Sequence, residues 1–353
     1  MSRTHAPRVV VVLLVGLVVA GWSASLGAGR QREGIPSSLS DADLWALIER
    51  LSEADGFFVS RSGSPDNLLS NENTISSVAA DLAARAKPGG VYLGVGPEQN
   101  FTYIAAMRPR IAFITDIRRG NLDLHLMYKA LFGLSTRRSE FVARLFGRRP
   151  LPVSTTRTTS GELMTAARAT PALDEAGFRA NLAEIGGYLT KTRALPIDQG
   201  DLDGIEYVAR NFYRFGPDIN YTSSINGRSG QFGSYGTIQS LTDITGVSRT
   251  YLASDETFAF VKEMEAKNLI VPVVGNFAGP KALRAIGSYL RDRGAVVGAF
   301  YVSNVESYLQ SAGTWGTFCA NVAALPLDAA SIFIRPGRGD WFGSMSMETS
   351  ACR

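Results

Sequence analysis

The chain has 353 residues, of which 45% are hydrophobic and 19% are charged, which is typical of a globular protein with one large domain or two small ones. The formal net charge of +4 permits an anionic partner. No long run of Lys and Arg is interleaved with aromatic residues, so nucleic acid is not a predicted partner. Two histidines and two cysteines are too few, at unsuitable spacings, for a zinc site, and no metal site is predicted.

The first 29 residues have the order of a secretory signal. Arg3 and Arg8 precede the apolar run Val9–Ala20, and small residues follow it. The run is shorter than the roughly 20 residues of a membrane-spanning helix. Residues 1–29 are therefore predicted to be a cleaved signal peptide, with an uncleaved anchor to the inner membrane as the alternative. Both would place residues 30–353 in the periplasm or another extracytoplasmic compartment.

The predicted folded part contains one histidine, His125, and the two cysteines Cys319 and Cys352. A Ser-His-Asp triad would have to use His125, which lies in a helical pattern and is interpreted as a structural or surface residue. Outside the cytoplasm the two cysteines could be oxidised to a disulfide, and both the bridged and the free state remain open.

The first elements after the leader are two amphipathic helices, one beginning at the capping residue Ser40 and one over Thr74–Ala86. A short apolar run, Val91–Leu93, then predicts a buried strand. Gly94 and Gly96 allow a tight turn after it.

An amphipathic helix is predicted from Glu98 to Met107, and a second apolar run ends at Asp116. Asp116 lies about 20 positions past the glycines, where an acidic residue holds a ribose hydroxyl pair in nucleotide-binding folds. The unit therefore predicts a small-molecule ligand with a nucleoside part.

The charges around the turn favour a ligand without phosphate. A dinucleotide fingerprint would have a third glycine where this chain has Gln99, and Glu98 at the helix start would repel a pyrophosphate. A ligand with an ammonium group suits an acidic first turn better. An NAD enzyme is therefore disfavoured.

These residues resemble the class I S-adenosylmethionine-dependent methyltransferases, in which a glycine-rich turn follows strand one and an acid at the end of strand two binds the ribose. The chain departs from that pattern at Tyr92, where an acid is common, and at Glu98, where a third glycine is common. The resemblance implies S-adenosyl-L-methionine as the cofactor. The predicted cofactor-binding residues are Gly94, Gly96, Glu98, Asp116 and Asp255.

After the second strand, residues from about 120 to 246 are predicted to form an insertion of helices and loops. Helices are expected as a pair between Gly120 and Gly147, and over Phe178–Leu189 and Asp201–Phe215. The Gly-, Ser-, Thr- and Asn-rich segment 216–246 either lines a site or is simply a mobile loop.

Arginines are concentrated around the predicted helical pair: Arg118, Arg119, Arg137, Arg138, Arg144, Arg148 and Arg149. The simpler interpretation is a solvated basic face. The alternative is contact with an anionic membrane surface or an anionic substrate.

Alternation of strands and helices resumes near residue 249. Helices are predicted over Glu256–Asn268 and Lys281–Arg293. The strands predicted after the first are Ile111–Ile114, Arg249–Leu252, Leu269–Val274, Val296–Val302 and Ser331–Arg335. The fold class is α/β, with a doubly wound, mostly parallel, Rossmann-like sheet. The strands at 91–93, 111–114, 269–274 and 296–302 are expected to be adjacent and parallel.

Ligands of such sheets bind outside the carboxyl ends of the strands. Asn276 and Glu306 follow two of these ends and are the candidate catalytic residues. The chain also resembles an uncharacterised bacterial family related to the Leptospira methyltransferase-like protein of unknown function. The matching motifs are Tyr92–Asn100, Ile114–Arg119, Val271–Pro280 and Phe300–Glu306. The resemblance implies a methyltransferase-like fold and no established reaction.

Two functions remain open from the sequence. The first is an exported protein that binds S-adenosylmethionine and transfers its methyl group to an unknown acceptor, with catalysis largely by proximity. The alternative is a non-enzymatic envelope binding protein that retains the fold without catalysis.

Overall fold

The chain divides into two compact units, Met1–Arg32 and Glu33–Arg353. This computed structural model describes residues 1–2, 34–58, 63, 66–86, 88–153, 155–226, 232–336 and 339–351. The predicted leader, apart from its first two residues, lies outside the described residues. Within the described part, no helix is both long and apolar enough to span a membrane.

The second unit is an α/β fold. Its strands are β1 Val91–Gly94, β2 Ile111–Asp116, β3 Ile270–Val274, β4 Val297–Tyr301, β5 Ile332–Ile334 and β6 Phe342–Ser344. Its helices are α1 Asp41–Leu51, α2 Ile75–Arg85, α3 Gln99–Met107, α4 Arg119–Leu134, α5 Arg138–Leu145, α6 Ser160–Ala169, α7 Glu175–Gly187, α8 Gln199–Phe215, α9 Ser223–Asn226, α10 Tyr235–Gln239, α11 Asp255–Ala266, α12 Ala282–Asp292, α13 Val305–Ser311, α14 Trp315–Ala323 and α15 Met345–Ala351. A π-helical turn, Tyr188–Thr192, follows α7, and a 3-10 turn, Gly216–Asp218, follows α8.

The six strands form one sheet in the order β3-β2-β1-β4-β5-β6, with parallel pairing except between β5 and β6. The prediction that the first four strands are adjacent and parallel is confirmed. The order reverses between β1 and β4, which flank each other at the centre of the sheet. The mostly parallel sheet is compatible with a Rossmann-like fold, whose common strand order is 3-2-1-4-5-6.

The apolar runs form strands because both faces of the sheet are covered. Every residue of β1, β2 and β3 is buried, as continuous apolar strands of a parallel sheet require. Helices with an apolar stripe pack on these faces. In α1 the stripe is buried, and the Ser40 hydroxyl caps the helix by accepting from the Asp43 backbone N–H.

The chain between β2 and β3 is largely helical, from α4 to α11. An aromatic cluster joins this segment to α3, with the Phe101 ring at edge contacts to Tyr128, Phe132 and Tyr251. Such contacts add to the burial of the rings and fix the insertion against the sheet helices.

Two sequence-based expectations are wrong here. Arg249–Leu252 is an irregular segment that ends in a turn and is not a strand. Its apolar residues Tyr251 and Leu252 are buried in the core, and this burial explains the apolar run without a strand. Arg138 is not part of a solvated basic face. Only 3% of its side chain is exposed, and it donates to Asp255 and to the carbonyls of Thr158 and Leu252.

The other expected helices are present with small shifts of their ends. His125 lies within α4 and is buried, in agreement with a structural role. Cys319 in α14 is disulfide-bonded, and Cys352, the partner considered for it, lies outside the described residues.

Candidate functional site

A cavity of about 500 Å³ opens at the carboxyl ends of β1, β2, β3 and β4, and we call it the strand-end pocket. Val95 after β1, Asp116 in β2, Gly275 after β3 and Tyr301 in β4 all line it. The pocket therefore lies where the strand order reverses, which is the usual ligand position in an open α/β sheet.

The turn after β1 is organised by one side chain, Asn100. Its Nδ2 donates to the carbonyls of Val95, Gly96 and Pro97, at 3.0, 3.1 and 2.7 Å. Its Oδ1 accepts from the Tyr92 hydroxyl at 2.8 Å. Because Asn100 is fully buried, these bonds fix the turn that forms one wall of the pocket.

The two glycines of the turn lie against protein groups, and neither lines the strand-end pocket. A Cβ on Gly94 would collide with Oδ1 of Asn100. Gly96 has a φ of +75°, and a Cβ there would lie 2.7 Å from Nδ2 of Asn67. The close backbone approach predicted from the sequence therefore serves the packing of Asn100 and Asn67.

Gly94→Ala is expected to lower the free energy of unfolding by about 2 kcal/mol, because the added methyl group displaces Asn100 from a packed site. Chemical denaturation would measure the loss. The matched control is Gly120→Ala, since nothing lies within 4 Å of a Cβ at that helical glycine, and its effect should be neutral or slightly stabilising. Equal stability of the two variants would contradict the role given to Asn100.

His125 supports the same turn from α4. Its Nε2 lies 2.9 Å from the carbonyl oxygen of Gly96, which can only accept, so this nitrogen carries the hydrogen. Burial lowers the pKa of His125 to about 4, and the imidazole is therefore neutral at physiological pH. The histidine acts here as a support for the turn and not as a proton-transfer group.

Asp116 lines the pocket at the end of β2, with only 3% of its surface exposed. Its Oδ1 accepts from the backbone N–H of Arg118 at 3.0 Å and from Nε of Arg118 at 3.2 Å. In both hydrogen bonds that described residues donate to this carboxylate, the acceptor is Oδ1. Oδ2 is therefore the oxygen available to a ligand.

Asn276 also lines the pocket, after β3. Its backbone N–H donates to Glu53, and its Oδ1 accepts from the backbone N–H of Ala278 at 2.9 Å. Glu53 further accepts from the backbone N–H groups of Lys281 and Ala282. A carboxylate from the end of α1 thus fixes the loop that carries Asn276.

Glu72 was not predicted for the site from the sequence, and it bonds two residues of the pocket lining. Glu72 accepts from the Tyr301 hydroxyl at 2.8 Å and from the Ser303 hydroxyl at 2.9 Å, and both donors line the pocket. Burial raises the pKa of Glu72, although the two hydroxyl bonds act in the opposite direction. Ser303 has a φ of +49°, which is rare for residues other than glycine. Such strained backbone conformations concentrate at functional sites.

Besides the two glycines, three further residues predicted for the site lie elsewhere. Glu98 is fully buried beside the turn, where both of its carboxylate oxygens accept from the Ser70 backbone N–H. Glu306 forms a buried ion pair with Arg335. Asp255 begins α11 and pairs with Arg138. None of the three lines the strand-end pocket.

Aromatic side chains form much of the pocket wall. The rings of Phe58 and Tyr308 meet edge to face, with centroids 4.8 Å apart, and the Arg118 guanidinium lies 5.5 Å from the Phe58 centroid. Tyr221, which precedes α9, also lines the pocket. Arg118 and Asp116 are the charged residues of this lining, and they are bonded to each other.

A family model described as a domain of unknown function, DUF7790, matches residues 68–150 and 237–351, which is more than half of the chain. The chain belongs to this family. The two matched segments contain all six strands and most of the pocket lining, including Asp116, Asn276 and Ser303. No curated protein shows significant similarity to the chain.

Proposed function

We propose that the strand-end pocket binds an adenosyl ligand, S-adenosylmethionine or its demethylated product. The observation that carries this proposal is the position of Asp116. Its buried carboxylate ends β2 beside the point where the strand order reverses, and it lines a cavity of about 500 Å³. An acid at the end of the second strand is where nucleoside-binding sheets hold the ribose hydroxyls.

The size and the walls of the pocket suit this class of ligand. Its volume falls within the range of roughly 300–1,000 Å³ that is common for small-molecule sites. Phe58, Tyr221 and Tyr308 supply flat apolar surface for a base. Gln99 lines the pocket and has a buried Oε1 without a hydrogen-bond partner among the described residues, so an exocyclic amino group would find an acceptor there.

The charge of the lining disfavours a dinucleotide. Arg118, the cation of the lining, is already bonded to Asp116, so a pyrophosphate would meet no uncompensated positive charge. A ligand with a ribose and an ammonium group is compatible with the same surroundings. This extends the sequence-based preference for a phosphate-free ligand, although Glu98 itself does not line the pocket.

S-Adenosylmethionine would supply an activated methyl group. The groups of this chain that could then assist an acceptor are Asn276, which would orient it, and Ser303 bonded to Glu72, which would take up its proton. The raised pKa of Glu72 makes its carboxylate a stronger base than a solvated one. Glu306, the acid assigned to catalysis from the sequence, is not in reach because Arg335 holds it.

The proposal predicts that Asp116→Asn weakens binding of S-adenosylhomocysteine by about ten- to a hundredfold, because hydrogen bonds to a charged acceptor are worth more than those to a neutral one. Isothermal titration calorimetry would measure the change. The matched control is Asp255→Asn. This acid begins α11 and does not line the pocket, so the affinity of the variant should equal that of the wild type. Equal affinity of Asp116→Asn and the wild type would refute the assigned role.

The second candidate function is non-enzymatic binding in the cell envelope. The observation that favours it is that Glu306 does not line the pocket, so that Asp116 is the one acid among the described lining residues. A leader that exports the domain would also separate it from the cytoplasmic supply of S-adenosylmethionine. A fusion of residues 1–40 to a reporter that is active only outside the cytoplasm tests export. A silent reporter would remove this argument.

A further inference from the structure

A second cavity, of about 450 Å³, lies between α5 and α7, and we call it the α5–α7 cavity. It is separate from the strand-end pocket and shares no lining residue with it. Its charged lining residues are Arg137, Glu140, Arg144, Arg148 and Glu184. Positive charge therefore exceeds negative charge in this lining by one.

Arg148 forms no ion pair with an acid in the described part of the chain. It is half-buried, and its Nε–H is buried without an acceptor among the described residues. Burial lowers the pKa of Arg148, since Asp218 and Tyr213 offset only part of the loss of hydration. Asp218, the nearby acid, forms its own ion pair with Arg168.

The space for this guanidinium is provided by Gly216, where a Cβ would collide with Nη2 of Arg148. The backbone conformation at Gly216, with a φ of +56°, also favours glycine. The position of Arg148 at the cavity is thus a fixed feature of the fold. A half-buried guanidinium with an unmet donor is stabilised when an anion enters beside it.

Arg144 is held on the α7 side of the cavity. Its Nη1 donates to Asn181 at 3.1 Å and to Glu184 at 2.6 Å, and Asn181 returns a hydrogen bond to the Arg144 carbonyl. Glu184 therefore neutralises Arg144. The backbone and side chain of Thr136 hold Glu140 in place and lower its pKa, so that it stays ionised. The charge of Arg137 also contributes to lowering the pKa of Glu140, so these two charges offset each other. The remaining positive charge of the lining is at Arg148.

We propose that the α5–α7 cavity binds the phosphate group of an anionic ligand, with Arg148 as the main contact. The guanidinium offers paired donors that match phosphate oxygens, and a phosphate carries more charge than a single carboxylate. The source of the phosphate is either a soluble phosphate ester or the headgroup of an anionic phospholipid. This inference is independent of the adenosyl ligand proposed for the other pocket.

The test is calorimetric titration of the full chain with inorganic phosphate. The wild type is expected to show saturable binding, and Arg148→Gln should weaken it by about tenfold, the worth of one charge-assisted bond. The matched control is Arg149→Gln, which removes the same charge from an exposed neighbour that does not line the cavity and should leave affinity unchanged. Equal losses in the two variants would show general charge attraction and overturn the proposal.

A third variant keeps every charge and fills the space. Ala180 is exposed and lines the cavity, so Ala180→Trp should abolish phosphate binding without disturbing the core. Cosedimentation with phosphatidylglycerol vesicles, against vesicles of phosphatidylcholine alone, separates the two sources. Vesicle binding that is lost in Arg148→Gln identifies a lipid headgroup, and phosphate binding without vesicle binding identifies a soluble ester. Absence of both in the wild type overturns the proposal.

Discussion

Glu306→Gln is expected to lower the free energy of unfolding by about 3 kcal/mol, because it removes the charge that neutralises a buried guanidinium. Nε and Nη2 of Arg335 donate to the two carboxylate oxygens of Glu306, at 2.6 and 2.7 Å. The two side chains are only 6% and 2% exposed. The ion pair fixes the start of α13 to the residue after β5. Urea denaturation of the two proteins would measure the difference.

The matched control is Glu348→Gln, because Glu348 is the second acid bonded to Arg335. The Glu348 side chain is 41% exposed, so its loss should cost less than about 1 kcal/mol. Neither substitution should change the affinity for S-adenosylhomocysteine, since neither residue lines the strand-end pocket. A large loss of affinity in Glu306→Gln at unchanged stability would restore the catalytic role first considered for this residue.

Glu98→Gln is expected to stabilise the protein at high pH and to have little effect at low pH. Burial raises the pKa of Glu98 to about 8, from a value of 4.5 when exposed, and no cation compensates it in the described structure. A raised folded-state pKa means that the stability associated with this acid is present below pH 4.5 and is lost as the pH rises toward 8. The shift in the pKa of Glu98 corresponds to a loss of about 3–5 kcal/mol in the free energy of unfolding across this pH window.

The measurement is the free energy of unfolding of wild type and Glu98→Gln at pH 5 and pH 8.5. The difference between the two proteins isolates Glu98 from other titrating groups. Those groups include Asp123, whose pKa burial also raises to about 8, and His125, whose pKa is lowered. If the difference in the free energy of unfolding between Glu98→Gln and the wild type is the same at both pH values, Glu98 is not protonated in the folded protein.

The sheet could be predicted from the sequence because its strands are continuous apolar runs. Burial on both faces leaves little room for polar residues, so the runs around Leu93, Phe113, Val273 and Phe300 were easily recognised. The same reasoning failed at Tyr251, where an apolar run serves the aromatic core of the insertion. A short apolar run indicates a buried segment. Whether that segment is a strand depends on its length and on the residues that flank it.

The pocket could be predicted only in part. Asp116 and Asn276 were found because the carboxyl ends of parallel strands meet at one edge of the sheet. Glu72 was missed, because its partners Tyr301 and Ser303 are more than 220 residues away in the chain. Glu306 does not line this pocket, and nothing near it in the sequence indicates its ion pair with Arg335.

Gly94 shows how a motif can be recognised while its purpose is misread. The sequence analysis assigned Gly94 to close approach of the backbone to a ligand, whereas in the structure the side chain of Asn100 occupies the space beside it. The turn still forms, and its neighbours Val95 and Pro97 still line the pocket. The glycine therefore acts through the shape of the turn, one step removed from any ligand.

The central claim is that the strand-end pocket accepts an adenosyl ligand without phosphate. Calorimetric titration of the wild-type protein with S-adenosylmethionine, S-adenosylhomocysteine and NAD tests it most directly. We expect saturable binding of the two adenosyl compounds, with one site per chain, and no saturable binding of NAD. The account would be contradicted if neither adenosyl compound showed saturable binding up to millimolar concentration. It would also be contradicted if NAD bound more tightly than the adenosyl compounds.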